Sequence, residues 1–254
     1  MGLVLSFRQS EILEVARAEG RVTVEHLARK YAVTLQTIRR DLSDLADAGL
    51  LDRVHGGAVF RNGVANQGYA RRRRTNKAAK TAIACACAAA IPNNCSIILN
   101  LGTTTEAVAR ELLRHTNITA VTNNMNVANT LMANTGCEVI LAGGSLRRSD
   151  GGLVGELTTQ FFNQFKANYA VIGCCAIDAG GDLLHFDLAE VQVSKAIIAQ
   201  SRQTYLVADH TKFQRTAPAR VASLAEISVF YTDAPLPHPL AAKCHDWGTV
   251  VHLA

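Results

Sequence analysis

From Pro92 onward the chain alternates two patterns, and this alternation restricts its fold more than any other feature. Short apolar, β-prone runs ("SIILNL", "ITAVTN", "EVILAGG", "YAVIGCCAI", "TYLVAD", "ISVFYTD" and "TVVHLA") are separated by segments with helical periodicity. Among the latter are "TEAVARELL", "NVANTLMAN", "LTTQFFNQF" and "LAEVQVSKAIIAQS". Runs that are apolar on both faces belong to strands covered on both faces, and strands joined through helices run parallel. The pattern predicts an α/β domain built on a largely parallel sheet. Ligands of such sheets dock outside the carboxyl ends of the strands, so the residues just after each run are the first candidates for a site.

One strand end stands out. After "SIILNL", Gly102 permits a tight turn and Thr103, Thr104 and Thr105 open a helix. Free backbone N–H groups and hydroxyls at a helix N-terminus make an anion site, and a phosphate fits it better than an uncharged ligand. Glu106 in the first turn opposes a dianion and is expected to point outward. Glycine followed by three threonines also describes a well-capped helix, and it is neither the dinucleotide fingerprint nor a Walker A loop. Other strand ends gather polar groups: Asn123 and Asn124, Gly143 and Gly144 with Arg147, Asp187 and Glu190, and Asp209 with Lys212. Each taken alone also suits a turn or a cap. A carboxylate pair near a lysine would serve an aldose–ketose isomerase, which needs a base beside a carbonyl. A binding pocket and an enzyme therefore both stand as readings, although no complete proton-transfer constellation is visible and no catalytic residue is assigned.

The first 60 residues follow another logic. "RQSEILEVARAEG" places Ile12, Leu13, Val15 and Ala16 on one side and stops at Gly20. "TVEHLARKYAV" starts from Thr23 as N-cap and buries Val24, Leu27, Ala28 and Tyr31. "TLQTIRRDLSDLADAGL" starts from Thr34 as N-cap, carries Ile38, Leu42 and Leu45 at helical spacing, and stops at Gly49. The short link between the second and third segments is what a helix-turn-helix requires. Gln36 and Arg40 fall opposite the apolar stripe with Thr37 and Arg39 on the flanks, in the half of a recognition helix that meets base edges. Arginine bonds bidentately to guanine and glutamine to adenine, while threonine meets a thymine methyl or a phosphate. Asp41, Asp44 and Asp47 would be repelled by phosphates, so they are expected to face away or to pair with arginines. "LLDRVHGGAVF" adds a Gly-Gly hairpin, the wing, whose tip brings Arg53 or His55 toward the backbone or minor groove. The competing reading is a small three-helix interaction domain with exposed arginines.

Charge separates the two readings. Residues 1–80 hold 15 Lys+Arg and 8 Asp+Glu, a balance of +7, while residues 81–254 hold 11 and 13, a balance of −2. A basic front on a near-neutral body favours a nucleic-acid-facing module. The expected organisation is a winged helix-turn-helix over 1–60, a basic linker over 61–80, and an effector-binding and oligomerisation domain over 81–254. The run Arg71–Arg74 is either a solvated stretch or a phosphate-neutralising arm. The seven cysteines contain no Cys-x-x-Cys pair and sit mostly in apolar runs, as buried thiols do in a reducing cytoplasm. Arg8 interrupts the apolar start, so no secretory signal is expected, and no apolar run approaches membrane-spanning length.

With these residues in view, the chain resembles the DeoR family of bacterial transcriptional regulators. The likeness rests on "RQ…IL", the "TLQTIRRDL" helix and the "RVHGGA" wing in the front. In the body it rests on "GTTTEAVARELL", "VTNNMNVANTLM", "ILAGGSLR", "DGGLVGE", "FDLAEVQVSKAII" and "YTDAP", and it covers roughly residues 8–235. The resemblance implies an N-terminal winged helix-turn-helix joined to an α/β effector domain like that of sugar-phosphate isomerases. It further implies a cytoplasmic homo-oligomer, dimer or tetramer, that represses by binding double-stranded operator DNA and is released by a small phosphorylated effector. The body motifs point to a subgroup answering to glycerol 3-phosphate; a repressor or activator answering to another sugar phosphate is the alternative within the family. Carried over, the phosphate loop is Gly102 to Thr105, and the rest of the pocket draws on Asn123, Asn124, Gly143, Gly144, Arg147, Asp187, Glu190 and Lys212. DNA contacts fall to Thr34, Gln36, Thr37, Arg39, Arg40, Arg53 and His55. No cofactor, metal or membrane partner is expected. Two positions depart from the family pattern: Gly173-Cys174-Cys175-Ala176 at the end of the central strand, and His185, where relatives tend to carry an acid. A disulfide between adjacent cysteines is strained, so Cys174 and Cys175 are expected as packing thiols.

Overall fold

The computed structural model describes residues 5–19, 21–48, 50–54, 56–60 and 69–254. Three expectations, the helix stops at Gly20 and Gly49 and the role of His55 at the wing, lie outside these residues. The chain divides into two compact units, Met1–Asn66 and Gln67–Ala254.

The first unit runs α1 (Phe7–Glu19), β1 (Arg21–Thr23), α2 (Val24–Tyr31), α3 (Leu35–Asp47), β2 (Leu51–Val54) and β3 (Gly57–Phe60). The Thr23 side chain caps α2 by accepting from the His26 N–H, and Thr34 caps α3 by accepting from the Thr37 N–H. The predicted stripes form the core: Ile12, Leu13, Ala16, Leu27, Ile38, Leu42 and Leu45 are all buried together. The hairpin β2–β3 gains a third strand that the sequence pattern does not mark, giving the order β1-β3-β2. Gly57 is what lets β1 approach, because a Cβ there would stand 2.0 Å from the Val22 carbonyl oxygen.

The second unit opens with α4 (Tyr69–Arg74) and α5 (Lys77–Ala89). The expected linker over 61–80 is thus corrected from residue 69 on: both helices belong to the second unit, because Tyr69, Arg72 and Lys80 find polar partners there and Ile83, Ala84 and Cys87 join its core. Next come β4 (Cys95–Leu99), α6 (Thr103–Glu111), β5 (Ile118–Thr122), α7 (Met125–Leu131), β6 (Cys137–Leu141), β7 (Ser145–Arg147) and β8 (Gly152–Val154). They are followed by α8 (Glu156–Phe162), β9 (Ala167–Ile172), β10 (Ala176–Ile177), β11 (Asp182–His185), α9 (Leu188–Ala199) and β12 (Ser201–Val207). The chain ends with β13 (Ala219–Ser223), β14 (Val229–Thr232), α10 (His238–Trp247) and β15 (Val250–Leu253).

All seven apolar runs read from the sequence become the strands of one parallel sheet, ordered β15-β14-β12-β9-β4-β5-β6. Two apolar cores cover its faces, as fully buried strands require. From β4 the chain winds outward to β6, then returns to β9 and winds the other way to β15. The topological switch therefore falls between β4 and β9, where open α/β sheets form their binding crevice. Two smaller sheets, β7–β8 and β10-β11-β13, extend beyond the strand ends. Among the described residues no helix is long and apolar enough to cross a membrane.

Candidate functional site

On α3 of the first unit, Gln36, Arg39 and Arg40 are exposed opposite the buried Ile38, Leu42 and Leu45. Thr34 and Thr37 are engaged with each other, their hydroxyl oxygens 2.8 Å apart at the helix start. Asp41, expected to turn away or to pair, is buried and accepts from Arg8 at 2.6 Å, and Asp44 accepts from Gln9 at 3.1 Å. The acidic side of the helix is thereby tied to α1, leaving its polar front cationic. Arg53 of the wing donates to the Arg39 carbonyl at 2.9 Å and to the Ser43 hydroxyl at 3.0 Å. It braces the wing against α3 at a point between Arg39 and Ser43, a role its sequence context did not reveal.

In the second unit the switch point between β4 and β9 carries the glycine-threonine turn. Gly102, with φ +144°, leads into α6, and its carbonyl accepts from the Glu106 N–H at 2.9 Å. Thr104 and Thr105 are buried, and the Thr105 hydroxyl has no partner among the described residues. Across the switch, Gly173 at the end of β9 leaves space: a Cβ there would come only to 3.9 Å from the Thr105 hydroxyl oxygen and from the Val207 carbonyl. A buried, unpaired hydroxyl costs free energy unless something completes it.

Glu106 corrects the expectation that it points outward. Its carboxylate is buried, accepting from the Tyr69 hydroxyl at 2.9 Å, from Asn126 at 3.0 Å and from Asn124 at 3.4 Å. Three neutral donors replace water around it, which makes its burial tolerable without a cation. Asn124 also caps α7 by accepting from the Asn126 N–H, so one member of the expected asparagine pair holds local structure. The Asn123 side-chain N–H donates to the Leu153 carbonyl, while its amide oxygen is buried without a partner. Gly143 and Gly144 pack against Thr158, whose hydroxyl donates to the Gly143 carbonyl at 2.7 Å, a structural junction between β6 and α8.

The structure brings Arg147, Asp187 and Glu190 together in one ion-pair cluster. The Arg147 guanidinium donates to Asp187 at 2.8 Å and to Glu190 at 2.6 Å, and it forks onto Asp150 at 2.7 and 2.9 Å. Asp150 also meets Arg72 at 3.3 Å. Behind Glu190 lies His185, 2.9 Å away and buried. Burial alone would lift the Glu190 carboxyl, yet His185 and Arg147 pull it down to about 2. Burial alone would push His185 toward its neutral form, yet its contacts with Cys175 and Glu190 raise it to about 10. Cys174 and Cys175 are free thiols, both buried, as packing residues are.

Lys212 lies in the short helical turn His210–Gln214 that follows β12, facing Asp209, Cys174 and Arg215, and burial lowers its pKa. Asp209 is buried; burial would raise its carboxyl, but the Thr211 hydrogen bond and Lys212 hold it below the usual range, with Asn76 donating at 3.0 Å. Lys80 is a site residue that the sequence pattern did not bring forward. This lysine is only 7% exposed, donates to the carbonyls of Arg72 and Thr75, and faces Asp209, Lys212, Arg215 and Arg72. Burial lowers it to about 8; Asp209 opposes the shift, and the three neighbouring cations add to it. A signal existed: Lys80 precedes Ile83, Ala84 and Cys87 at i+3, i+4 and i+7, on the buried stripe of α5. Its place in the basic run "RRRRTNKAAK" disguised it.

Contacts link a chain of these groups, from Lys80 to the Arg72 carbonyl, from Arg72 to Asp150, and on through Arg147 and Glu190 to His185. Lys80, Lys212 and Arg215 form a cationic group around Asp209, and carboxylates gather around Arg147.

A helix-turn-helix with a wing, followed by an α/β unit with paired polar groups at its strand ends, defines a DNA-binding regulator with a second, sensor-type unit, and comparison gives the family. Residues 8–63 match the DeoR-like helix-turn-helix domain and residues 75–234 the DeoR C terminal sensor domain. The chain belongs to the DeoR family. It is 44% identical over 230 residues to the glycerol-3-phosphate regulon repressor of Escherichia coli (strain K12), covering 91% of each chain. It is 43% identical over 231 residues to the repressor of the same name from Haemophilus influenzae, covering 91% of this chain and 90% of that one. Among solved structures, ribose 5 phosphate isomerase A from Neisseria gonorrhoeae aligns over 53% of this chain and 52% of its own at 16% identity and a TM-score of 0.39, too slight a likeness to bear on function.

Proposed function

We propose that this chain is a transcriptional repressor whose hold on operator DNA is relieved by glycerol 3-phosphate, so that it controls genes of glycerol metabolism. The carrying observation is the pairing of a cationic group, Lys80, Lys212 and Arg215, with a carboxylate-rich group around Arg147, which offers the two poles that a phosphorylated polyol has. At the cationic pole, the N–H groups of the Gly102–Thr105 turn, the unpaired Thr105 hydroxyl, Lys80 and Lys212 suit a phosphate. At the other pole, Asp187 and Glu190 are acceptors for hydroxyls. Lys80 also holds the last carbonyls of α4, so a phosphate that draws its ammonium away loosens the first helix after the DNA-binding unit. A ligand with higher affinity for the loosened arrangement shifts the population toward it.

On the DNA side, Gln36, Arg39 and Arg40 enter the major groove while Thr34 and Thr37 secure the helix start. A symmetric dimer or tetramer places two or more such helices on repeated half-sites, in the cytoplasm where the operator lies. The isomerase reading fares worse for a physical reason. A carboxylate held near pKa 2 by an arginine and a histidine is a weak base, and Asp209 is depressed in the same direction.

The test is a titration of the operator complex with glycerol 3-phosphate, using glycerol and other sugar phosphates as controls. Release by glycerol 3-phosphate alone is expected. Release by a different phosphate with glycerol 3-phosphate inert overturns the effector assignment, and turnover of a sugar phosphate at enzymic rates overturns the regulator reading.

A further inference from the structure

The winged helix accounts for the basic front only as far as Phe60, and the strongest local charge lies beyond it. No Asp or Glu stands between Asp52 and Glu106, and within that stretch four arginines follow one another at 71–74 with Lys77 close behind. The structure sorts these cations into two groups. On the six-residue α4, Tyr69 and Arg72 lie three apart and turn inward, the hydroxyl to Glu106 at 2.9 Å and the guanidinium to Asp150 at 3.3 Å. Arg71 and Arg74, also three apart, lie on the opposite side and are exposed, as are Arg73 and Lys77. No ion pair joins any of these four to a described residue. They form a concentrated positive surface fixed to the sensor unit from behind.

We propose that this surface is a second DNA contact: Arg71, Arg73, Arg74 and Lys77 bind backbone phosphates of the duplex flanking the operator. Like charges so close repel one another, and an array of phosphates relieves that repulsion while releasing counterions. Arginine on a short, braced helix presents a pre-ordered fork to phosphate oxygens. The partner is duplex DNA rather than another polyanion because only eight residues, 61–68, separate α4 from β3. Docking of the winged helix therefore raises the local concentration of DNA around these arginines. The surface reads no bases; it adds affinity and salt dependence.

The proposal rests on operator binding by the winged helix, not on the identity of the effector. Full-length protein without effector is titrated onto a labelled operator duplex with long flanks, at salt between about 50 and 200 mM. Each phosphate that the protein no longer neutralises makes the log–log salt slope shallower by about 0.9, so the Arg71→Gln Arg74→Gln double variant is expected to flatten it by about 2 per bound copy. Its preference for operator over unrelated duplex stays the same, Arg71→Lys Arg74→Lys restores most of the slope, and trimming the flanks abolishes the difference from wild type. A wild type that binds no operator sinks the reading of the winged helix. A wild type that binds with a slope the double variant leaves untouched overturns this proposal alone, as does a difference that persists on the trimmed duplex. The thermal transition, expected unchanged for two exposed side chains, guards against a folding defect.

Discussion

The third helix of the first unit and the strand ends of the sensor unit both carry polar and charged side chains, yet they treat them in opposite ways. On α3, Gln36, Arg39 and Arg40 stand exposed, while Asp41 is taken out of the way by Arg8. At the switch point, Arg147 is committed to three carboxylates, Glu190 to two cations, and Lys80 to two carbonyls. A surface charge keeps its water and can wait for a partner, whereas a buried charge must be paired before any ligand arrives. On the proposed function, DNA meets a face ready to bind, while the effector competes with bonds already made. That competition lets binding change the protein.

The contrast can be tested, and the largest effect belongs on the buried side. Arg147→Ala removes the cation that Asp150, Asp187 and Glu190 share, leaving Asp150 to Arg72 and Glu190 to His185, and is expected to cost the sensor unit up to about 3–5 kcal/mol, read as a lowered denaturation midpoint. An unchanged midpoint would mean that burial does not require the network to be paired at all. Arg40→Ala, on the exposed side, should leave stability unaltered and weaken operator binding by about 1–3 kcal/mol if it reads a base. If all sequences lose affinity equally and the salt slope becomes shallower, Arg40 contacts phosphate instead.

Next in size is a pH effect at Lys80. Its pKa in the free protein lies at about 8, below the ordinary lysine value, and phosphate binding favours the charged form. Affinity for glycerol 3-phosphate should thus hold up to about pH 8 and then fall by up to about tenfold per unit, since 1.4 kcal/mol corresponds to one pH unit. Calorimetry across this range checks the sign, and Lys80→Arg, which stays charged, should flatten the profile. The same shift predicts that folding stability contributed at this site rises as pH climbs from 8 toward the unfolded lysine value, because the folded state gives up the proton first. The smallest effect falls on the first unit: Thr34→Ala removes the α3 cap and should cost about 1 kcal/mol of its stability, with binding reduced only through fraying of the helix start.

Much of this architecture was visible in the linear chain. The stripes Ile12–Ala16, Val24–Ala28 and Ile38–Leu45 specify three helices because helical periodicity is local, and Thr23 and Thr34 mark two starts because capping acts over three residues. The seven apolar runs specify seven buried strands for the same reason. The partners of Glu106, Lys80 and Arg53 could not be read this way, although helical spacing marks Lys80 itself as buried. Glu106 is buried because Tyr69 and Asn126, 37 and 20 positions away, supply its donors. Arg72 reaches Asp150 across 78 positions, and Asn76 reaches Asp209 across 133. No local pattern encodes such partners, so Lys80 looked like one more charge in a basic run and Arg53 like a free wing cation.

The sequence by itself determined the elements, the exposed polar side of α3, the glycine-threonine turn at Gly102–Thr105 and the family, since each rests on the order and spacing of neighbouring residues. Tertiary structure alone decided that the sheet reverses between β4 and β9, that the helices from Tyr69 on belong to the second unit, and that the charges at the strand ends are paired with one another. The physical reason is burial: a charge's partner in the folded state is whichever group packing brings within about 3 Å once water is gone, and that group is seldom its neighbour in the chain.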